Sequence, residues 1–255
     1  MSSEPLLSVR EAGKTYERHG WLRRTPPAKR ALHDIIFDLD RGQTLAIVGS
    51  SGSGKSTLAR CIAGFEKLSA GEIRFDGTQR QVQLIPQQPA ASLNPRFTAA
   101  EIIAEPLVIQ KHGTARIREA RARELMETVG LPATAAGKRA LEFSGGERQR
   151  LAIARALAVE PKLLILDESL TGFDWALQAQ ITALLADLQA RFGIAYILIS
   201  HDLEAAARMA SEIAVMEDGT IVERAPARQL LESPRHARSR ELRDAALALA
   251  LGDSL

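Results

Sequence analysis

The stretch Gly49-Ser50-Ser51-Gly52-Ser53-Gly54-Lys55-Ser56-Thr57 follows the apolar run Thr44–Val48 and decides the fold of the chain. Its spacing is typical of a phosphate-binding loop between a strand and a helix. Glycines let backbone N–H groups surround an anion, and the next helix adds its positive N-terminal end. Lys55 would neutralise the outer phosphates, and the Ser56 hydroxyl would bind Mg²⁺. A Gly/Ser-rich turn without a ligand is the alternative, but the preceding strand and the helical Leu58–Ala63 provide the context of a phosphate loop.

The composition is that of a folded protein. With 255 residues, of which 45% are hydrophobic, the chain can bury a large core. A formal net charge of +2 is too small to indicate a nucleic-acid partner. The single cysteine, Cys61, excludes an internal disulfide and a cysteine-built metal site, and we expect it to be a small buried hydrophobe. We find no signal-peptide pattern and no apolar stretch near 20 residues, so we expect a cytoplasmic chain.

Apolar strands alternate with helical segments along much of the chain. Strands are predicted over 6–16, 31–40, 71–77, 82–85, 163–166 and 195–199, with a hairpin at Asp218-Gly219. This alternation predicts an α/β fold with a mainly parallel sheet and ligands at the carboxyl ends of its strands. The segment 98–129 is predicted to be helical. The polar insertion 17–30 carries Pro26-Pro27 and several charges, so we expect a solvated loop, with contact to lipid headgroups or a partner as the alternative.

Acidic and imidazole side chains follow two of the predicted strands. Asp167 and Glu168 end the run 163–166, where Asp167 would hold Mg²⁺ through water and Glu168 would polarise the attacking water as a general base. The alternative is that these two acids only form a turn or cap a helix. His201 follows the strand 195–199, where its imidazole would hydrogen-bond a γ-phosphate unless it is only structural.

A second helix start carries serine and glycine. The sequence Phe143-Ser144-Gly145-Gly146-Glu147-Arg148-Gln149-Arg150 leads into the helical segment 151–157. A serine cap and free N–H groups at a helix N-terminus form a second anion-binding surface.

In order and in spacing, these motifs resemble those of the ATPase subunits of ABC transporters. The phosphate loop, Gln87, the Ser-Gly-Gly signature at 144–146, the Asp167-Glu168 pair and His201 carry the resemblance, which covers nearly the whole chain. It implies one P-loop NTPase domain over 1–255, with ATP and Mg²⁺ as ligands. The implied parts are a RecA-like, mainly parallel core with an antiparallel β subdomain (1–90 and 160–235), an inserted helical subdomain (91–159) and a C-terminal helical tail (236–255).

The resemblance also implies roles for individual residues. Two subunits would enclose two ATP molecules, each between the phosphate loop of one chain and the signature of the other. Tyr16 would stack on adenine, and Gln87 would sense Mg²⁺ and the attacking water. The implied catalytic residues are Glu168, His201 and Gln87, and the implied metal ligands are Ser56, Gln87 and, through water, Asp167. The implied nucleotide-binding residues are Tyr16, Gly49, Ser50, Ser51, Gly52, Ser53, Gly54, Lys55, Ser56 and Thr57. The residues facing the partner's nucleotide would be Ser144, Gly145, Gly146 and Glu147.

Finer likeness points to the peptide/nickel importer branch and to its second ATPase subunit. It is carried by Gln87-Gln88-Pro89-Ala90-Ala91-Ser92-Leu93-Asn94-Pro95 and by the insertion after Tyr16. In that branch two different ATPases usually pair, so a heterodimer is expected, with a homodimer as the alternative. Two transmembrane permeases would dock near residues 97–107, a solute-binding protein would take part indirectly, and no nucleic acid is involved. The chain would then be peripheral, on the cytoplasmic face of the inner (cell) membrane, and no iron–sulfur cluster is expected.

Several positions depart from the usual pattern of the family. Glu147 stands where the family usually has Gln, Gln88 replaces a common Asp, and residues 169–174 differ from Pro-Thr-Ser-Ala-Leu-Asp. Because its own hydrolytic residues are complete, we expect this chain's site to be competent. The altered signature and loop face the partner's nucleotide, so we expect the partner's site to be the weaker one.

Two other classes of function are alternatives to a transporter ATPase. A soluble ABC-type ATPase acting on ribosomes or DNA usually has two cassettes, a long coiled coil or zinc-binding cysteines, none of which appears in the sequence. A P-loop kinase would leave the second glycine-bearing helix start at 144–146 unexplained.

Overall fold

A computed structural model describes residues 4–17, 29–169 and 174–252 of the chain. The chain forms two compact units. Unit 1 combines residues 1–79 with residues 195–255, and unit 2 holds residues 80–194. The phosphate loop and His201 therefore belong to unit 1, whereas Gln87, Glu168 and the signature belong to unit 2.

The strands and helices follow in this order. The strands are β1 (Leu7–Tyr16), β2 (Lys29–Leu39), β3 (Thr44–Val48), β4 (Ala70–Phe75), β5 (Val82–Ile85), β6 (Leu163–Asp167), β7 (Ala195–Ser200), β8 (Glu212–Glu217) and β9 (Thr220–Pro226). The helices are α1 (Lys55–Ile62), α2 (Pro89–Ser92), α3 (Ala99–Ile109), α4 (Ala115–Thr128), α5 (Gly145–Leu157), α6 (Trp175–Phe192), α7 (Leu203–Met209), α8 (Ala227–Glu232) and α9 (Ala237–Gly252).

Unit 1 contains an antiparallel sheet and a mainly parallel one. In the antiparallel sheet β1 lies between β2 and β4, and Tyr16 at the end of β1 pairs with Lys29 of β2. In the other sheet β3 pairs in parallel with both β7 and β8, and β9 pairs with β8 as a hairpin. Asp218 and Gly219 both have positive φ in that hairpin's turn, as tight hairpin turns require. The predicted parallel sheet, antiparallel sheet and hairpin are confirmed.

Buried strands explain why the central runs are apolar without alternation. Every residue of β3, β6 and β7 is buried, as expected for strands that are covered on both faces. Polar side chains are therefore confined to the ends of these strands, where the candidate site residues lie.

Unit 2 pairs two parallel strands with a set of helices. Val82 to Ile85 of β5 lie opposite Leu163 to Leu166 of β6. The predicted helical segment 98–129 forms α3 and α4, and its apolar stripe is buried at Ala122, Leu125, Met126 and Val129. Gly113, with a φ of 65°, lies in the connection between the two helices. Within the described residues, no helix is both long enough and apolar enough to cross a bilayer.

Candidate functional site

The phosphate loop occupies residues 49–54 of unit 1, between β3 and α1. Its tip, residues 50–52, is exposed. Gly54 has a φ of 105°, and a Cβ atom at this position would lie 2.5 Å from the Ala31 carbonyl oxygen. Because an L side chain would be strained and would also clash, the start of α1 requires glycine.

Lys55 holds its ammonium group against the loop. Its Nζ donates hydrogen bonds to the carbonyl oxygens of Gly49 and Ser50, at 2.8 Å each. The side chain is only 4% exposed. A buried ammonium at a loop of this kind favours an anionic ligand, because a phosphate would offset the cost of burying the charge.

The first turn of α1 is open to an anion. No side chain caps this helix start, and its first turn contains no acidic residue. The N–H groups of a first turn have no partner within their own helix, and together they form its positive end. This arrangement matches the phosphate-binding prediction.

His201 lies at the same edge of the sheet as the phosphate loop. Val48 of β3 pairs with Ser200 of β7 in parallel register, so the residues that follow, Gly49 and His201, leave the sheet together. His201 is exposed. The neighbouring Asp202 has a different task, since its carboxylate caps α7.

Tyr16 lies beside the first turn of α1. Its phenol oxygen is 3.5 Å from the Thr57 Oγ1, and its hydroxyl donates a short hydrogen bond to the Glu66 carboxylate. The Lys14 ammonium lies over the ring, 5.1 Å from its centroid. Unit 1 thus brings together the phosphate loop and the aromatic residue that the resemblance assigns to adenine.

Gln87 and Glu168 meet in unit 2. The parallel pairing of Ile85 with Leu166 brings the ends of β5 and β6 to the same edge. Gln87 Nε2 then donates a hydrogen bond of 2.9 Å to Glu168 Oε2. These two candidate site residues are 81 positions apart in the sequence, yet their side chains are in direct contact.

The two acids at the end of β6 differ in environment. Asp167 is buried, with 9% of its surface exposed, whereas Glu168 is half-buried. Glu168 also has a φ of 47°, in the left-handed region that non-glycine residues rarely adopt. Strained backbone angles of this kind cluster at active sites and ligand-binding sites.

The signature serine and glutamate cap their own helix. Ser144 Oγ accepts the Glu147 N–H at 3.3 Å, and the Glu147 carboxylate accepts the Ser144 N–H at 2.7 Å. Donation by the Ser144 backbone is the main reason that the pKa of Glu147 lies below its usual value. Gly146 packs closely on the next helix, since a Cβ atom there would lie 2.6 Å from Leu177 Cδ1. The signature is therefore a firmly built helix start with an ionised carboxylate.

A groove lies between α3 and α4 in unit 2. It has a volume of about 570 Å³, and its lining includes Phe97, Ala104, Val108 and Ile109 together with charged side chains such as Glu101 and Arg118. Val108 and Ile109 are 52% and 75% exposed. The groove overlaps only in part with the segment 97–107 that the resemblance assigns to permease contact, because the exposed Val108 and Ile109 lie just beyond it.

Two sets of predictions fall outside the described residues. They concern residues 18–28 of the polar insertion and residues 170–173 of the altered loop. The prediction for Cys61 is confirmed, because its side chain is buried and burial raises the pKa of its thiol.

Sequence reasoning missed the residues that hold Tyr16. Glu66, Arg60 and Lys14 lie around the phenol group, and Arg60 Nε donates to Glu66 Oε1 at 2.6 Å. They belong to no motif and to no periodic stripe, and Glu66 is 50 residues from Tyr16. Only the folded structure shows the connection.

The comparisons with known proteins agree with this geometry. Residues 32–171 match a family model described as ABC transporter. Over 248 residues the chain is 41% identical to a probable D,D-dipeptide transport ATP-binding protein of Escherichia coli K12, with 97% of this chain and 80% of the relative covered. It is 43% identical over 228 residues to an oligopeptide transport ATP-binding protein of Bacillus subtilis 168, with 84% and 75% covered.

A third relative is much longer than this chain. It is a glutathione import ATP-binding protein of Escherichia coli K12, 42% identical over 258 residues, and the match covers 95% of this chain but 41% of the relative. The chain therefore spans less than half the length of that protein.

Solved structures of similar fold are ATP-binding cassettes. One is a dimeric ATP-binding cassette in a post-hydrolysis state bound to ADP and Pi, with a TM-score of 0.75, 27% identity, and coverage of 87% of this chain and 98% of that chain. Another is cbiO1 of Clostridium perfringens, part of an ABC transporter complex, with a TM-score of 0.77, 24% identity, and coverage of 98% and 100%. The second likeness concerns the fold alone.

Proposed function

The chain belongs to the ABC transporter family, and from that membership we propose that it binds and hydrolyses ATP to power an importer of small peptides, nickel chelates or related solutes. The observation that carries the hydrolytic part is the 2.9 Å hydrogen bond between Gln87 and Glu168 at the end of β6. It joins a candidate general base to a candidate sensor of the attacking water. The solute class rests on relatives named for dipeptide, oligopeptide and glutathione transport.

In unit 1, we assign the nucleotide-binding roles to the phosphate loop and to Tyr16. The loop's N–H groups and Lys55 would bind the phosphates, and Tyr16 would stack on adenine. His201 would hydrogen-bond the γ-phosphate. Support comes from the buried ammonium of Lys55 and from the shared sheet edge of Gly49 and His201.

In unit 2, we assign the hydrolytic roles to Gln87 and Glu168. Glu168 would accept a proton from the attacking water, and Gln87 would orient both the carboxylate and the water. The hydrogen bond between the two side chains fixes the direction of the Glu168 carboxylate.

The residues proposed as Mg²⁺ ligands suit that ion chemically, each within its own unit. In unit 1, Ser56 offers a hydroxyl; in unit 2, Gln87 offers an amide oxygen and Asp167 a carboxylate that acts through water. Mg²⁺ prefers such oxygen donors and keeps several of its waters. Asp167 is buried at the end of β6, where a carboxylate favours a nearby cation. Bound Mg²⁺ would supply charge neutralisation at the phosphates.

We propose that the chain works in an assembly with membrane subunits. A second ABC ATPase, more plausibly a related chain than an identical one, would place its phosphate loop against the signature 144–147. Closure on ATP and reopening after hydrolysis would drive two transmembrane permeases. The solute-binding protein would act on the permeases, and the chain would sit peripherally on the cytoplasmic face of the inner (cell) membrane.

The groove between α3 and α4 is the proposed permease contact. It offers exposed apolar side chains, Val108 and Ile109, flanked by both acidic and basic residues. Exposed apolar surface with a charged rim is typical of protein–protein contact sites.

Uptake measurements test the transport function. A host strain that lacks this chain would receive the wild type, Glu168→Gln or Glu160→Gln, where Glu160 is an exposed acid of the same unit. We expect uptake of labelled di- and tripeptides, or of nickel, with the wild type and with Glu160→Gln but not with Glu168→Gln. Equal uptake with and without the chain, for every solute of these classes, would contradict the proposal.

A further inference from the structure

The end of β1 is tied to the segment that follows α1. We call this segment, Glu66 to Ser69, the 66–69 strap. Three consecutive residues of β1 each bind one residue of the strap: Lys14 Nζ donates to the Lys67 carbonyl oxygen at 2.7 Å, the Thr15 N–H donates to Ser69 Oγ at 3.0 Å, and the Tyr16 hydroxyl donates to the Glu66 carboxylate. The strap therefore holds the backbone at Thr15 and the phenol hydroxyl of Tyr16, the last residue of β1.

Glu66 is the centre of this arrangement. Its carboxylate accepts from Tyr16 and from Arg60 Nε, and Lys14 Nζ lies 3.7 Å away. Burial acts to raise the pKa of Glu66, but the two hydrogen bonds and the nearby cations outweigh it, and the pKa lies below its usual value. Glu66 is thus a partly buried anion that needs these donors.

The ring of Tyr16 is fixed in position and partly covered. The Lys14 ammonium lies over one face of the ring, 5.1 Å from its centroid, so the proposed stacking of a base would use the opposite face. The phenol oxygen is held both by Glu66 and beside Thr57 in the first turn of α1. The distance between the ring and the phosphate loop is thereby set by α1 and by the strap.

We propose that Glu66 is a positioning residue for nucleotide binding, which holds the Tyr16 ring at the place where it stacks on adenine. The proposal rests on the proposed ATP-binding function. A side chain that is held in its bound orientation loses less conformational entropy when the ligand arrives. Glu66 acts through Tyr16 and touches neither the phosphates nor the reacting atoms.

Two ligands, one with an adenine base and one without, distinguish the positioning of the Tyr16 ring from general damage to the fold. Isothermal titration calorimetry would measure Kd for Mg-ADP, which carries the base, and for Mg-pyrophosphate, which does not. The variants are Tyr16→Phe, Glu66→Ala, Glu66→Gln, the double variant Tyr16→Phe/Glu66→Ala, and the control Glu72→Ala, whose wild-type carboxylate pairs with Arg74.

We expect the Tyr16 and Glu66 variants to lose affinity for ADP, which carries the adenine base, but not for pyrophosphate. Because base–aromatic stacking contributes to affinity, losing the ring's fixed position should weaken ADP binding by about 3- to 10-fold in Tyr16→Phe and in Glu66→Ala. Pyrophosphate binding should stay within about twofold of the wild type. Glu66→Gln keeps an acceptor and should bind ADP better than Glu66→Ala. The double variant should lose no more than either single one, because all three lack the same hydrogen bond.

Each contrary result has a distinct meaning. ADP binding that is unchanged in both Tyr16→Phe and Glu66→Ala would overturn the positioning role. Equal losses for ADP and pyrophosphate would also overturn it, since they would indicate a structural role; if Glu66→Ala does not fold, Tyr16→Phe alone decides. A wild-type chain that binds neither ligand would refute the proposed function instead.

Discussion

Glu168 combines a strained backbone with a fixed side chain. Its φ of 47° costs on the order of 1–3 kcal/mol for a residue other than glycine. The geometry aims the carboxylate at Gln87, 2.9 Å away. The contact with Gln87 supports the assignment of Glu168 as general base; the φ value alone does not, since the exposed Glu160 has a similar φ of 51°.

Replacing Glu168 by glutamine tests that assignment. The amide has nearly the same shape but cannot accept a proton, so we expect hydrolysis to fall by about 10²- to 10⁴-fold while ATP still binds. Steady-state phosphate release and equilibrium ATP binding would be measured side by side, with Glu160→Gln as the control. Hydrolysis at the normal rate by Glu168→Gln would rule out Glu168 as the base.

The strain itself can be measured at the same position. Glycine tolerates the left-handed region and alanine does not, so Glu168→Gly should be more stable than Glu168→Ala by about 1 kcal/mol. In an ordinary strand or helix the order would be reversed. Denaturant unfolding of both variants gives the difference, and an alanine variant as stable as the glycine one would argue against strain.

At the scale of elements, the N-termini of α1 and α5 differ in whether side chains cap them. The α1 start has neither a side-chain cap nor an acid in its first turn, whereas the α5 start is closed by the reciprocal hydrogen bonds of Ser144 and Glu147. An uncapped start favours an external anion, and a capped start favours helix stability. We predicted both as anion-binding ends from the sequence; the spacing of Ser144 and Glu147 also indicates a capping box, which that prediction did not include.

The capping box makes a pH-dependent contribution to stability. The pKa of Glu147 in the folded chain lies below its ordinary value of 4.5, chiefly through the Ser144 N–H. Its stabilisation is therefore present above the unfolded pKa and is lost as the pH falls through the folded one. We expect Glu147→Gln to lower the free energy of unfolding by about 0.3–1 kcal/mol at pH 7 and to have no effect once the folded carboxylate is protonated.

Unfolding of both proteins across the acid range checks this prediction. Glu119→Gln, in the second turn of α4, is the control, because its exposed carboxylate pairs with Arg123 and forms no capping box. A difference between wild type and Glu147→Gln that persists unchanged at low pH would show that the charge of Glu147 is not its source.

The elements themselves followed from simple patterns in the sequence. Strands β3, β6 and β7 were predictable because fully buried strands are continuously apolar, and α4 because its buried stripe has helical spacing. The Gln87–Glu168 hydrogen bond, the strain at Glu168 and the Glu66–Tyr16 contact were not. They depend on distances and backbone angles between positions far apart in sequence, which no local pattern encodes.

At the scale of the whole molecule, the proposed permease contact at the α3–α4 groove allows transport to be tested separately from ATP chemistry. Ile109→Asp places a charge on its apolar surface, where Ile109 is 75% exposed, so folding should tolerate the change. We expect loss of permease association and of uptake, with ATP binding retained. Ile36→Asp, an exposed isoleucine of unit 1, is the matched control.

Pull-down of the permeases from solubilised membranes, together with uptake, gives the readout. If the Ile109→Asp variant associates with the permeases and supports uptake normally, the permeases dock elsewhere on the chain. Equal losses by Ile36→Asp would show that any added surface charge disrupts the assembly.

The central claim is that this chain is the ATPase of a membrane importer. The most direct test is mass spectrometry of the complex that co-purifies with it from detergent-solubilised membranes of its own host. We expect two permease chains and a second ABC ATPase in that complex. Recovery only in the soluble fraction, together with ribosomal or DNA-bound proteins, would contradict the transport function and leave only the ATPase chemistry.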